Sequence, residues 1–359
     1  MLVYLNIYIY LSLISIFNVK IENKIKNIFL LLLFFFLLIF LSGKLYVGGD
    51  YISYLNWYNR INFLNYSDFS KITFNYIILL LKFLNLEYFY LHFLSTTIFL
   101  LGIYKLAKLV NEKLFFIVIL IPFFIFVVGM GYIRQSMSIG FLFIAIYYWH
   151  KNYNTTFLFF FIFSVFVHVS SLIFIFLVFF KHDENKIIKK LFFLILIFIA
   201  LFITYYLIYY SNLEIFLEAI RADYKNIEFS NFNFLKFITH LLPFFLFIFF
   251  FKKFQKEKLY ILYLFNLFYV VSGILVLLFF KFYYPDLNYI FVIVERVLIP
   301  FILVEAFILI KIYSFIKNKY KFIYKLNIIF YFGLQLYIWL AFAMNSHAWI
   351  PYRSIFLEW

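Results

Sequence analysis

The sequence predicts an all-α, polytopic membrane protein, and three observations support this fold class. Hydrophobic residues make up 67% of the chain and charged residues only 13%, which is too few to cover a water-soluble surface. Apolar runs long enough to cross about 30 Å of hydrocarbon recur along the whole length. Lysines cluster between these runs, as they do in cytoplasmic loops. No polar block of domain size interrupts the pattern, so residues 1–359 are expected to form one membrane domain.

The lysine clusters predict which way each span crosses the membrane. The positive-inside rule places the lysine-rich loops in the cytoplasm, and one topology with both termini outside satisfies all of them. It has about 12 spans, within a range of about 11 to 14. The predicted spans are 2–17, 28–46, 88–106, 114–128, 133–149, 155–169, 170–180, 191–210, 237–251, 259–280, 294–312 and 326–345.

Two segments depart from regular spans. Residues 69–84 are interpreted as a helix that lies in the interface or re-enters the membrane, because a crossing there would move every later lysine cluster outside. Residues 155–180 are too short for two full crossings of about 20 residues each. They are expected to form a bent hairpin of half-depth helices buried among their neighbours.

Arginine is rare in this chain, and its placement is one-sided. The predicted outer face carries three main polar segments, at 47–72, 211–236 and 281–293. All five arginines fall on that face, whereas the cytoplasmic loops carry lysine. A retained arginine suggests a need for its planar fork, which binds carboxylate or phosphate oxygens through two parallel bonds. The sequence therefore predicts a shared anion site on the outer face. The five are Arg60, Arg134, Arg221, Arg296 and Arg353.

The arginines differ in their surroundings. Arg60 and Arg221 lie in charged loops, where pairing with nearby carboxylates is the simpler interpretation. Arg134, Arg296 and Arg353 have apolar neighbours, and an ionisable group at membrane depth is a site candidate by default.

His168 and Asp50 are the other candidates for catalysis. His168 falls at the outer end of its predicted span, level with Arg134, where it could donate to a phosphate or sugar or shuttle a proton. The alternative is an ordinary structural histidine. Asp50 lies in the GGDY segment, 48–51, where it could orient or deprotonate a sugar hydroxyl. The alternative is a turn closed by its side chain.

Three further residues are candidates for binding. Tyr51 and Tyr54 either anchor the chain at the interface or stack on a sugar face. Glu295 either pairs with Arg296 or contacts the glycan. No cofactor or metal is expected, because the chain has no cysteine and its histidines form no metal-ligand spacing. The net charge of +15 is attributed to cytoplasmic lysines and not to nucleic-acid binding.

Taken together, these segments resemble the EpsG-type, Wzy-like polysaccharide polymerases of bacteria. GGDYISYLNWY is similar to the family's G-x-D-x-x-x-Y pattern, and YIRQSMSIGFLFIAIYYW to its arginine-led helix. VFVHVSSLIFIFLVF is similar to the segment in which a histidine precedes small residues. Arg296 and the terminal IPYRSIF complete the order, which covers nearly the whole chain.

The resemblance implies an architecture like that of the multi-span, C-type glycosyltransferases, in the bacterial cytoplasmic membrane. It implies a polymerase that moves a growing glycan from undecaprenyl pyrophosphate to the non-reducing hydroxyl of a new lipid-linked repeat unit, at the outer face. A chain-length regulator protein would be a further partner. The expected catalytic residues are therefore Arg134, His168, Asp50 and Arg296, and the expected binding residues are Arg353, Tyr51, Tyr54 and Glu295.

Other functions stay open at this stage. A flippase or transporter of lipid-linked oligosaccharides would also need basic residues near the membrane, although its charges should line a path open to both sides. A glycosyltransferase with a lipid-monophosphate sugar donor would add a single sugar. An acyltransferase would need a histidine base, and His168 is the best-placed one.

Overall fold

The computed structural model describes residues 1–17, 23–61, 72–179, 233–257, 259–283, 296 and 298–356. Regular structure within these ranges is helical, apart from one isolated bridge that pairs Lys44 with Ser354. The all-α prediction is therefore confirmed. The α-helices are α1 Leu2–Phe17, α2 Asn23–Ser42, α3 Tyr51–Arg60, α4 Ile72–Phe83, α5 Tyr88–Ala107, α6 Lys113–Leu120, α7 Gly129–Gly131, α8 Ile133–His150, α9 Asn154–Val167, α10 Phe176–Phe179, α11 Asn233–Phe249, α12 Phe251–Phe254, α13 Tyr260–Tyr283, α14 Phe301–Phe315 and α15 Asn318–Phe342.

Four helical stretches are long and apolar enough to cross a membrane: Lys24–Ser42, Tyr88–Ala107, Lys113–Gly131 and Asn318–Phe342. Several shorter apolar helices accompany them, including α1 and α9. The chain is accordingly a membrane protein. The span count of about 12 and the likeness to C-type glycosyltransferases stay predictions.

Helices α6 and α8 form the centre of the bundle. The residues after α6 are π-helical over Ile121–Val128, where Pro122 lacks the N–H that a regular helical turn would use. Helix α8 packs closely on α5 through two glycines. A Cβ at Gly102 would lie 2.6 Å from the carbonyl oxygen of Gly140, so only glycine allows this approach.

The two ends of the bundle differ in charge. At one end, Lys113 Nζ lies 3.1 Å from Asn27 Oδ1, Lys325 Nζ lies 3.1 Å from Glu112 Oε2, and other loop lysines surround them. We call this the lysine end. The opposite end carries the arginines described by the structure, and we call it the arginine end. Its arginines are Arg60, Arg134, Arg296 and Arg353.

The hairpin predicted at 155–180 is present. Helix α9 starts near the lysine end and stops at His168, whose φ of −152° and ψ of 122° are extended. The chain continues as a 3₁₀ helix, Val169–Ile175, and returns far enough for the Trp149 indole N–H to donate to the Leu177 carbonyl at 2.9 Å. The break therefore leaves His168 at the tip of a bent hairpin. Only one face of that hairpin is buried, because Phe166 and Val169 beside the histidine are exposed, so the expectation that the hairpin is buried among its neighbours was wrong.

Helix α4 has the character expected of the 69–84 segment. Its 12 residues extend about 18 Å, too short to cross about 30 Å of hydrocarbon. Both of its ends contact α3 or the residue after it: Phe74 packs on Trp57, and Lys82 Nζ donates to the Ile61 carbonyl at 2.7 Å. Helix α4 therefore stays beside α3 at the arginine end.

Candidate active site

The loop of residues 43–50 joins α2 to α3 and is held by backbone contacts. The Gly48 N–H donates to the Ala348 carbonyl at 2.8 Å, and the Leu45 N–H donates to the Arg353 carbonyl at 3.0 Å. Gly48 has a φ of +105°, and a Cβ there would lie 2.6 Å from the Met130 carbonyl oxygen. The close approach that this glycine permits is thus to the backbone just before α8. The loop therefore fixes Asp50 relative to α8.

Asp50 is surrounded by positive charge. Burial raises the pKa of its carboxyl group, and the charges of Arg296, Lys44 and Arg134 oppose that rise. Lys44 is only 2% exposed, and its ammonium donates to the Met130 carbonyl. Burial lowers the pKa of Lys44 to about 7, and the neighbouring Asp50 partly offsets the effect. Within the described part of the chain, three cationic groups therefore act on the Asp50 carboxylate.

Arg134 is the second residue of α8, and part of its guanidinium fork has no hydrogen-bond partner. Its Nε and Nη1 atoms are buried, and neither has a hydrogen-bond partner. The guanidinium carbon lies 5.8 Å from the centre of the Trp57 ring, a cation–π distance. A buried donor without a partner costs about 1–3 kcal/mol. A ligand that supplies anionic oxygens here would remove that cost and gain charge-assisted bonds.

Arg296 is hydrogen-bonded to α8 through Gln135, the residue that follows Arg134 in the chain. The Gln135 side-chain amide donates to the Arg296 carbonyl at 2.8 Å, and Gln135 is only 3% exposed. The guanidinium carbon of Arg296 lies 5.7 Å from the centre of the Tyr132 ring. The residue after Arg134 thus holds the segment that carries the second arginine, and both arginines act on Asp50.

His168 presents one ring nitrogen to the site. Its Nδ1 accepts from the Ser170 backbone N–H at 3.2 Å and lies 2.7 Å from Ser170 Oγ. Because Nδ1 accepts a backbone N–H, the neutral ring carries its proton on Nε2. Arg134 and Arg296 both lie close enough to act electrostatically on the ring. His168 is therefore prepared to donate a hydrogen bond from Nε2.

Serines hold the hairpin that carries His168 against α8. The Ser138 hydroxyl donates to the Ser164 carbonyl at 2.7 Å, and its oxygen lies 2.7 Å from Ser171 Oγ. The Ser164 hydroxyl donates back to the Ser138 carbonyl at 2.8 Å. All three serines are buried. These three serines thus serve packing, and they set the distance between the hairpin and α8.

The two predicted tyrosines differ in position. Tyr54 lies within the charged cluster: burial and the Asp50 charge raise the pKa of its hydroxyl to about 12, while Arg134 and Arg296 oppose this. Tyr51 is only 7% exposed, because its ring stacks on His92 with the ring centres 5.2 Å apart. Its ring has little surface left for a sugar. The glycan role of Tyr51 stays a prediction that the packing does not favour.

Two binding candidates, Arg353 and Glu295, are not placed in the cluster. The Arg353 side chain is exposed, and its backbone carbonyl ties the C-terminal segment to the 43–50 loop. Glu295 lies outside the described residues. The structure therefore brings together Asp50, Arg134, Arg296 and His168, whose roles in catalysis stay predictions.

Lys44 was missed by the sequence analysis. It fell inside the predicted span 28–46, whereas α2 ends at Ser42 and Lys44 begins the loop. A lysine within an apolar run was the available signal, since ionisable residues at membrane depth are costly and mark sites. Within the described ranges, no group of three or more histidine, aspartate and glutamate side chains could hold a metal ion.

These features define a class: an all-helical membrane protein with a buried cationic cluster at one end of its bundle. The sequence model of the EpsG family matches residues 27–354, and the chain therefore belongs to the EpsG family. The resemblance drawn from the sequence is confirmed. The family is associated with polysaccharide polymerisation, so the role is polymerase-like. Neither a curated protein nor a solved structure matches the chain.

Proposed function

We propose that this protein joins undecaprenyl-pyrophosphate-linked oligosaccharide repeat units at the outer face of the bacterial cytoplasmic membrane. The observation that carries the proposal is the Arg134 guanidinium, whose Nε and Nη1 are buried without a partner beside Arg296 and Lys44. Among the described residues, Asp50 is the one carboxylate beside these three cations, which favours an anionic ligand. A pyrophosphate supplies both the charge and the oxygens that such a fork binds.

The cationic cluster suits the charge that develops during transfer. As the bond between the anomeric carbon and the pyrophosphate oxygen breaks, negative charge grows on the leaving pyrophosphate. Groups fixed in a dry site before the reaction stabilise that charge more than they stabilise the ground state. Arg134 and Arg296 are fixed in this way, because Gln135 and the rings of Trp57 and Tyr132 hold them.

In the proposed reaction, a hydroxyl oxygen of the acceptor repeat unit attacks the anomeric carbon of the donor glycan. A new carbon–oxygen glycosidic bond forms, and the pyrophosphate departs with the electron pair of the broken bond. Asp50 receives the proton of the attacking hydroxyl, a role that its buried carboxylate and raised pKa suit. His168 donates from Nε2 to a phosphate or sugar oxygen, and Tyr54 borders the same space.

The test is turnover by the purified full-length protein in liposomes that contain a synthetic undecaprenyl-pyrophosphate oligosaccharide. The expected product is a ladder of glycans that differ by one whole repeat unit. Addition of one sugar from a lipid-monophosphate donor would instead identify the alternative glycosyltransferase. Movement of the lipid across the bilayer without any new glycosidic bond would identify a flippase. Either of these results would overturn the proposal.

A further inference from the structure

A second charged cavity lies at the lysine end, far from the cationic cluster around Arg134. Its volume is about 720 Å³, and it is lined by α1, α2, the loop before α6, the start of α6 and α15. A smaller cavity of about 220 Å³ adjoins it and shares Asn27, Leu30, Lys108 and Lys113 with it. The proposed polymerisation uses neither of them.

The described residues that line the large cavity carry more positive than negative charge. Its lining contains Lys26, Lys108, Lys113 and Lys325 but a single acidic residue, Glu112. Glu112 is already engaged by Lys325, whose Nζ lies 3.1 Å from the carboxylate and 2.8 Å from the Ser15 carbonyl oxygen. The other three lysines therefore face the cavity without a carboxylate from its lining.

Those three lysines are arranged as an open basic mouth. Lys26 and Lys108 are exposed, and Lys113 is half-buried. Lys113 Nζ contacts the neutral Asn27 side chain at 3.1 Å, and Lys108 Nζ lies 4.3 Å from the centre of the Tyr104 ring. Neither partner neutralises an ammonium group. An anion that enters this mouth would meet several donors at once.

The smaller cavity is apolar and leads away from the lysines. Apart from the shared residues, it is lined by Phe34, Tyr104 and Ala107, which lie on α2 and α5. Phe34 is two helical turns beyond Asn27 along α2, so this groove runs from the basic mouth toward the middle of the bilayer. A basic mouth continued by an apolar groove matches the two parts of a phospholipid.

We propose that the two adjoining cavities together bind one anionic phospholipid, with its phosphate at Lys26, Lys108 and Lys113 in the large cavity and an acyl chain along Leu30 and Phe34 in the smaller one. Basic pockets between membrane helices at the cytoplasmic face hold anionic head groups in this manner. The positive-inside rule gives the lysine end that orientation. The group recognised is a phosphate monoester or diester. The apolar groove favours a phosphate that carries an acyl chain over a soluble phosphate.

The test is native mass spectrometry of the purified full chain with phosphatidylglycerol, phosphatidylcholine, glycerol 3-phosphate and inorganic phosphate as separate probes. Phosphatidylglycerol should bind at one saturable site and more tightly than each of the other three probes. Each lysine near an anionic head group is worth about a fivefold change in affinity, so Lys108→Gln with Lys113→Gln should weaken binding about 30-fold.

The matched control is Lys151→Gln, which removes an exposed lysine at the same end that does not line the cavity. It should leave phosphatidylglycerol affinity unchanged. Thermal unfolding of each variant checks that the bundle is intact. Equal binding of phosphatidylcholine and phosphatidylglycerol would contradict the role of the lysines in binding an anionic phosphate. Equal binding of inorganic phosphate would contradict the role of the groove in binding an acyl chain. An equal loss of phosphatidylglycerol affinity in Lys151→Gln would show that only net charge matters, and it would contradict the proposal.

Discussion

Lys44 and Arg134 show how two buried cations in one cluster are held differently. The Lys44 ammonium donates to the Met130 carbonyl, whereas two nitrogens of Arg134 have no partner. A lysine is a point charge whose pKa moves readily on burial, while an arginine keeps its charge. Of these two cations, Lys44 is therefore the one whose charge depends on pH, and Arg134 is the one that is open to a ligand.

Lys44 predicts a pH dependence of polymerisation. Burial lowers its pKa to about 7, so the ammonium is charged below that pH and neutral above it. If its charge helps to hold a pyrophosphate, the rate should fall as the pH rises through about 7. The measurement is a pH–rate profile of the wild type and of Lys44→Met, which should lack this fall. A fall at the same pH in the variant would assign the titration to another group.

His168 is expected to act as a donor and not as an essential base. His168→Ala should lower the polymerisation rate roughly 100- to 1000-fold, as the loss of one preorganised donor does, yet leave measurable polymer. Rates must be compared at equal protein abundance. Because the Ser170 hydroxyl lies 2.7 Å from Nδ1, Ser170→Ala should have a smaller effect in the same direction. A normal rate in His168→Ala would return this histidine to a structural role.

At the scale of elements, the 43–50 loop depends on Gly48. Gly48→Ala places a side chain at a φ of +105° and a Cβ 2.6 Å from the Met130 carbonyl oxygen. The left-handed conformation alone costs about 1–2 kcal/mol, and the clash adds to it. The variant should therefore melt at a lower temperature and polymerise more slowly.

Gly49→Ala is the matched control for this loop. A Cβ at Gly49 would lie 3.5 Å from the Trp349 ring, which is an ordinary contact. Its melting temperature should stay near that of the wild type. If the two variants melted at the same temperature, the loop would not depend on the Gly48 conformation.

The elements show what the sequence could and could not reveal. The length of each segment and the positions of the lysines were enough to predict a bent hairpin at 155–180 and the short helix α4. Both predictions depend on how many residues a helix needs to cross the membrane. The π-helical turns of Ile121–Val128 were not predicted, since they depend on one proline in a fully apolar run. The end of α2 at Ser42 was also missed, and with it the position of Lys44.

The site shows the same division. Asp50, Arg134 and His168 each stand at a helix boundary or break, and their order along the chain indicated that they would meet at one end. Side-chain packing is not visible in such a pattern. Tyr51 was therefore expected to contact a sugar, although its ring packs on His92.

At the scale of the whole molecule, the separation of arginines from lysines predicts sidedness. The chain has no cysteine, so a single introduced cysteine reports one position cleanly. Lys256→Cys should be labelled only from the cytoplasm, and Asn56→Cys should react with an impermeant reagent from outside, because both positions are exposed. Labelling of Asn56→Cys only after permeabilisation would place the cationic cluster on the wrong side for the proposed reaction.

The central claim is that the cationic cluster holds pyrophosphate through the shape of the Arg134 fork. Arg134→Lys keeps the charge but loses the two parallel bonds. The expected loss of transition-state stabilisation is about 2–4 kcal/mol, comparable to the loss of one oxyanion donor. Arg60→Lys, at an exposed arginine of the same end, is the control and should polymerise normally.

The measurement is the initial rate of repeat-unit addition by purified Arg134→Lys, with protein abundance and melting temperature recorded alongside. We expect a fall of roughly 30- to 1000-fold with the fold intact. A lysine variant at normal abundance that makes polymer at the normal rate would contradict it, because a point charge at this position would then suffice.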